Sequence, residues 1–511
     1  MFCKTVSARL REPSLETEKR SGSSVRHKGL SLFLFFCLSV VAAADSSKSQ
    51  PVDTTQLTAW LTGGISSTRL VQLIHERGLA VVPTENEIHQ LQAFGADENL
   101  VRTLAGVRPA DSHGQRTSIP AALLQAAAGA HARRYHEAEL QLRAALRIDP
   151  QNPAIHFALA SMFRQQEQWD DAYDELTISA RLMPDFPENH SSLAYVFYRL
   201  DDGPNAIAEA RTALSMDPQN AEAYQYLGLG LYSNGQHAAA VHAFAESLAR
   251  DPDNPDTYYD MGIALQADGR LVAAAAAYRY AIRLRPAFWE AHSNLGLVLH
   301  QDGKLDEAIA QYREAKNIAP DEASVRNNLG NTYCDHGDFD AAIAELSELY
   351  RQHPDWEQGH SCLASAYMSK KNYRSAVHEL QLAIHQKPTD AAQHRLLGQA
   401  LLLDGKAEEA LREFRLAVTL DPDSDVAHHY LGTALFQDQK LQAAEREFRE
   451  ALRLKASADN HYSLAACLMS MDRYPEALTE LEIAARLDPE RPLYRARREE
   501  LMKLMKDSSP R

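Results

Sequence analysis

The stretch AHSNLGLVLHQDGKLDEAIAQYREAKNIAP, Ala291 to Pro320, returns 34 residues later as VRNNLGNTYCDHGDFDAAIAELSELYRQHP, Val325 to Pro354. Each copy holds two apolar runs at helical spacing, parted by a polar turn with glycine, and closes on proline. The period reaches far beyond these two copies. Prolines stand at 150, 184, 218, 252, 286, 320, 354, 388 and 422, always 34 apart. The next interval lands on Ala456, after which the chain drops one residue and resumes to Pro489. A unit this short cannot cover its own apolar face, so its neighbours must, and the array grows in one dimension. The 511 residues therefore do not demand several globular domains.

Aligned on the prolines, the units show columns. A Gly and an Ala recur twelve residues apart: Gly228 and Ala240, Gly262 and Ala274, Gly296 and Ala308, Gly330 and Ala342, Gly398 and Ala410, Gly432 and Ala444. Four residues after that Ala comes a large apolar side chain, as in Phe244, Tyr278, Tyr312, Leu346 and Phe414. Small residues let two helices approach, and the large one fills the joint. Proline ends the second helix. Asp or Asn beside it, as in DPQN and DPDN, caps the next one.

These columns resemble the tetratricopeptide repeat, over Ile119 to about Pro489, in eleven units. The resemblance implies an all-α, right-handed superhelical solenoid of helix-turn-helix units, with helix A of each unit lining a concave groove. The expected closing helix is RPLYRARREELMKLMK, Arg491 to Lys506, within a C-terminal segment 490–511.

Ahead of the array, residues 52–106 carry apolar residues at helical spacing, among them Leu57, Trp60, Leu61, Leu70, Leu73 and Ile74. Ser66, Ser67 and Thr84 suit helix starts, and Gly63, Gly64, Gly78 and Gly95 suit helix ends, which predicts a small module of four short helices. Residues 107–118 have linker composition. Residues 1–44 read as a targeting segment. Arg26 and Lys28 precede an apolar run from Leu30, and Ala42 to Ala44 offer small residues for cleavage. The run is short for a membrane span, so a cleaved secretory signal and export, in a bacterium to the periplasm, are expected. An uncleaved anchor over 30–44 is the alternative.

The net charge is −16, which argues against a nucleic-acid surface, where clustered cations are needed. Cys334, Cys362 and Cys467 are odd in number and widely spaced, and read as three buried small hydrophobes. Neither zinc spacing, a phosphate-cradling loop nor a nucleophile–base motif is visible, so no enzyme, cofactor or metal is expected.

The resemblance places groove-facing side chains at the second, fifth, ninth, twelfth and thirteenth positions of each unit. In this sequence they include Tyr195, Tyr198, Arg199, Tyr232 and Tyr259, then Asn327 and Asn331, then Arg395 and Gln399. Asn294 and Asn328 share the sixth position of consecutive units. There the sequence AHSNLG is similar to the repeats of protein O-linked N-acetylglucosamine transferases, whose asparagine ladder holds extended substrate backbone. The catalytic half of those enzymes has no counterpart here. His156, His190, His292, His360, His394, His428 and His461 share the fourth position, a packing slot, and lie too far apart to form a metal ladder. The expectation is an exported, non-catalytic scaffold that takes protein or peptide segments in its groove. A membrane-anchored component of an envelope biogenesis or secretion complex is the alternative. An accessory subunit of a glycosyltransferase rests on the two asparagines alone.

Overall fold

The computed structural model describes residues 50–108 and 118–507. The targeting segment, Cys3, Cys37 and the middle of the linker lie outside them. Among the described residues the fold is all-α: 27 helices, and a single isolated bridge between Val52 and Leu79. Those residues form two compact units, one up to Pro286 and one from Ala287 onward.

The first unit opens with α1 (Thr54–Thr62), α2 (Ser67–Arg77), α3 (Glu85–Ala93) and α4 (Glu98–Gly106). Their ends are written in the sequence. Ser66 accepts from the Arg69 amide, Thr84 and Glu87 form a reciprocal capping box, and Gly78 and Gly95 turn with φ of 83° and 104°. Five helical hairpins follow, from Ala121–His131 and Tyr135–Ile148 to Pro255–Ala267 and Leu271–Leu284. The second unit holds six more hairpins and a closing helix, Pro492–Asp507. That helix buries Tyr494 and Leu501 and leaves Leu493 and Leu504 exposed.

Every second helix of a hairpin has 14 residues, which is the 34-residue period made physical. Each hairpin turns on one residue in the left-handed region. In five repeats it is Gly235, Gly269, Gly303, Gly337 or Gly405. In the others Arg133, Glu167, Asp201, Lys371, Gln439 and Asp472 adopt φ of 57–61°, at about 1 kcal/mol each. Asn152, Asn220, Asn254, Asp390 and Ser424 cap the first helices, as the proline-flanking residues foretold.

The glycine column works by complementarity. A Cβ placed on Gly228, Gly262, Gly296, Gly398 or Gly432 would lie 2.5–3.0 Å from the ring of Phe244, Tyr278, Tyr312, Phe414 or Phe448. On Gly330 it would lie 2.6 Å from Leu346. Where alanine holds the column, at Ala126, Ala160, Ala194, Ala364 and Ala465, the residue sixteen later is Leu142, Leu176, Ala210, Leu380 or Leu481. A methyl on one helix thus goes with a smaller partner on the other.

The histidine column does more than pack. In each repeat that carries one, Nδ1 reaches a side chain nineteen residues on, in the second helix of the same hairpin. The partners are Glu175, Glu209, Gln311, Glu379, Glu413, Glu447 and Glu480, at 2.5–2.9 Å. Nε2 of His156, His394 and His428 also bonds the carbonyl of the period proline. At His156 burial lowers the pKa, but Glu175 and the Pro150 carbonyl outweigh it and hold the imidazolium above its ordinary value.

The cysteine reading needs correction. Cys334 and Cys362 form a disulfide, with Cα atoms 6.2 Å apart. They are remote in sequence, but they lie on the first helices of adjacent hairpins, Ala323–His336 and His360–Ser369. Stacking brings those helices side by side. Among the described residues Cys467 alone is a buried free thiol, and burial pushes it up to about 11.

Candidate functional site: the helix-A face of the first unit

The module at 54–106 is not a bead on a tether. Its α1 packs on the first helices of repeats 1 and 2, and its apolar residues share one core with theirs. Trp60 stacks on Phe186 with centroids 5.0 Å apart and an 18° tilt. Ser161 Oγ donates to the Gly63 carbonyl at 2.6 Å. Arg69 pairs with buried Glu188 and lies 3.8 Å from Asp217, and Arg77 donates to the Asp185 carbonyl at 3.0 Å. Counting repeat 2 from Pro153 and repeat 3 from Pro187, Phe157 and Ser161 hold the fifth and ninth positions of one, and Glu188 the second of the other. The chain's own module therefore fills the first groove positions. The composition boundary at 107–118 does not separate two cores: Val107 packs against this one and Ile119 is buried in it.

Where the module stops, a strip of arginine and tyrosine begins. Arg164 donates to Ser192 Oγ at 2.9 Å and to the Tyr226 hydroxyl at 3.2 Å, with its guanidinium 4.9 Å from the Tyr195 ring centroid. Tyr226 passes its own proton toward Glu222 at 2.6 Å. The rings of Tyr195 and Tyr226 lie 5.0 Å apart, and those of Tyr195 and Tyr198 6.2 Å. Arg199 donates to the Tyr195 hydroxyl at 3.2 Å and lies 4.1 Å from the Trp169 ring centroid. Gln225 donates to Asp260 at 2.9 Å, and Tyr232 lies beside His237. Burial, with Asp260 nearby, drives the Tyr198 hydroxyl well above its usual pKa, so it stays a neutral donor.

Tyr195, Tyr198, Arg199 and Tyr232 are half-buried and keep surface on this face. Tyr259 does not. It has 0% exposure and packs on Tyr278 at 5.9 Å, so it belongs to the core of repeat 5. In the second unit Asn327 and Asn328 are also buried, at 0% and 4%, and offer no surface. Gly359 of the next hairpin closes over Asn327: a Cβ there would lie 2.9 Å from its Oδ1. Asn294, Asn331, Arg395 and Gln399 stay half-buried, and Arg395 donates to Gln399 at 3.4 Å while facing the Tyr430 ring. Sequence reasoning missed Arg164. The same position rule, moved one repeat earlier, would have found it at the twelfth place. Tyr226 sits at a sixth position, outside the rule, in the place that Asn294 and Asn328 hold in later repeats.

Family models described as tetratricopeptide repeat match residues 192–255, 259–323 and 430–492 in one case, and 299–365 and 333–400 in another. Together they span more than half of the chain. No curated protein matches it. Among solved structures, the Cut9–Hcn1 hetero-tetramer of the APC/C aligns at 13% identity over 82% of this chain and 99% of that one, with a TM-score of 0.40. Yeast Tom70 aligns at 14% identity over 75% and 95%, with a TM-score of 0.33. MamA from Desulfovibrio magneticus RS-1 aligns at 20% identity over 33% and 94%, with a TM-score of 0.32. Likeness at this level carries no binding partner across.

Proposed function

Because this chain belongs to the tetratricopeptide repeat family, we infer that it is a non-catalytic scaffold that holds a segment of another protein along the strip from Arg164 to Tyr232. The observation that carries this is the join described above. The module occupies the first groove positions, and the aromatic and arginine side chains start where it ends. Tyrosines at such a face offer rigid area and a donor at low entropic cost. Arg164 and Arg199 are fixed by their neighbours, and Tyr198 stays neutral. Glu222 and Asp260 flank the strip and disfavour an acidic segment. The bound segment therefore carries apolar or basic side chains.

The test begins with a crosslinked pulldown to recover the partner. Calorimetry then compares the chain with its Tyr198→Ala/Tyr232→Ala variant. A loss of about 2 kcal/mol or more is expected, with circular dichroism unchanged. Equal affinity would move the site off this strip.

The Cys334–Cys362 disulfide supports an exported setting, since such bonds persist where thiols are oxidised. Export with cleavage after Ala44 gives a mature N-terminus at Asp45, read directly by N-terminal sequencing. Protein recovered only from cytosol with residues 1–44 intact would overturn it.

A further inference from the structure

The array departs from its own pattern in the second unit, at the start of repeat 8. Its first helix, His360–Ser369, has 10 residues, against 13 in the repeat that follows. Trp356 stands where five other repeats place a capping Asn, Asp or Ser, and where repeats 3 and 6 place Phe186 and Phe288. Gly359 turns with φ of 98°, and a Cβ on it would lie 3.0 Å from the Tyr350 hydroxyl as well as against Asn327. A side chain is thus excluded there by both conformation and space.

The break is braced. Tyr350 donates to the Gln358 carbonyl at 2.8 Å, and its ring lies parallel to His360 with centroids 4.3 Å apart. His360 in turn meets Glu379 at 2.7 Å. The disulfide at Cys362 ties the shortened helix to its neighbour. Beside it opens a cavity of about 420 Å³. Its walls are Tyr350, Trp356 and Leu382, and its carboxylates are Asp355, Glu357 and Glu379. Neither lysine nor arginine lines it. The Trp356 indole nitrogen is buried without a hydrogen-bond partner.

We propose that this cavity is a second binding site, which takes an arginine side chain presented by a partner's peptide. A guanidinium is flat and weakly hydrated, so it can lie on an indole face and still direct its N–H groups at carboxylates. Asp355 and Glu357 flank Trp356 in the chain and supply them. A net charge of −16 draws such a ligand in. The lining comes from the second helices of repeats 7 and 8, the connector between the repeats and His360 at the start of the next helix, so this site shares no residue with the helix-A strip and does not depend on it.

The full-length chain has four tryptophans, Trp60, Trp169, Trp289 and Trp356, and labelling with 5-fluorotryptophan gives each a fluorine resonance. Trp356→Phe identifies its own. Titration with N-acetyl-glycyl-arginyl-glycinamide is expected to shift the Trp356 resonance alone, and to saturation. Asp355→Asn/Glu357→Gln should weaken that response about tenfold. The lysyl peptide should respond several-fold more weakly, and Tyr198→Ala/Tyr232→Ala should change nothing. The other three resonances and circular dichroism report that each variant is folded. A still Trp356 resonance, a common drift of all four, an equal response to the lysyl peptide, or full binding without both carboxylates would each overturn the proposal.

Discussion

Replacing Trp60 with alanine will cost about 3–5 kcal/mol and will open the first three repeats ahead of the others. Trp60 is 1% exposed and stacks on Phe186, which meets Phe157 edge-on at 5.6 Å. The three rings join the module to repeats 2 and 3, so removing one leaves a cavity between elements that cannot close independently. Trp60→Phe should be far milder, under about 1.5 kcal/mol, because the indole nitrogen has no hydrogen bond to lose. Amide exchange should accelerate in α1, α2 and Pro153–Gln165. It should stay slow in the repeats after Ala287, since each hairpin feels chiefly its neighbours. A cost below about 1 kcal/mol with unchanged exchange in Pro153–Gln165 would mean that the module is merely appended.

The second large effect lies inside a single hairpin. Gly262→Leu should cost about 3 kcal/mol, at the upper end of overpacking. The first added carbon would already lie 2.5 Å from the Tyr278 ring. That ring cannot retreat: it is 0% exposed and its hydroxyl donates to Gln266 at 3.1 Å. Gly262→Ala should still destabilise, by about 1 kcal/mol, despite the better helix propensity of alanine. Adding Tyr278→Leu recreates the pairs Ala364 with Leu380 and Ala465 with Leu481, and should recover most of that loss. Thermal unfolding of the two single mutants and the double gives the coupling directly. Additive losses would show that the columns vary independently.

These two sites mark what the sequence disclosed and what it withheld. The 34-residue spacing, the caps and the glycine column are local or nearest-neighbour features. A linear reading therefore recovers the hairpins, their number and even the four helices of the module. It cannot see which surfaces meet across the chain. Nothing in the neighbourhood of Trp60 announces Phe186, 126 residues on, and linker composition pointed the other way. An odd number of widely spaced cysteines hides the pair, Cys334 and Cys362, that stacking brings together. Position rules found Tyr195, Tyr198, Arg199 and Tyr232 on the helix-A face. They misplaced Tyr259 and Asn327, as the asparagine resemblance misplaced Asn328, because burial at a given position depends on what the adjacent hairpin puts over it. The break at repeat 8 keeps its proline in phase and so left no gap in the period.

One property of the pairings bears on how such a gene can change. Glycine meets its ring sixteen residues later and histidine its carboxylate nineteen later, always within the same hairpin. Unequal recombination in a connector therefore copies or deletes both partners together, and each new repeat arrives already matched. A crossover between the two helices of a hairpin is different. It can set the alanine of one lineage against the tyrosine of another, with a clash as the result. Tolerance of lengthening is thus a matter of phase: the array is free to grow or shrink in steps of 34 residues whose boundaries fall at the period prolines, and is held to its present form at other breakpoints.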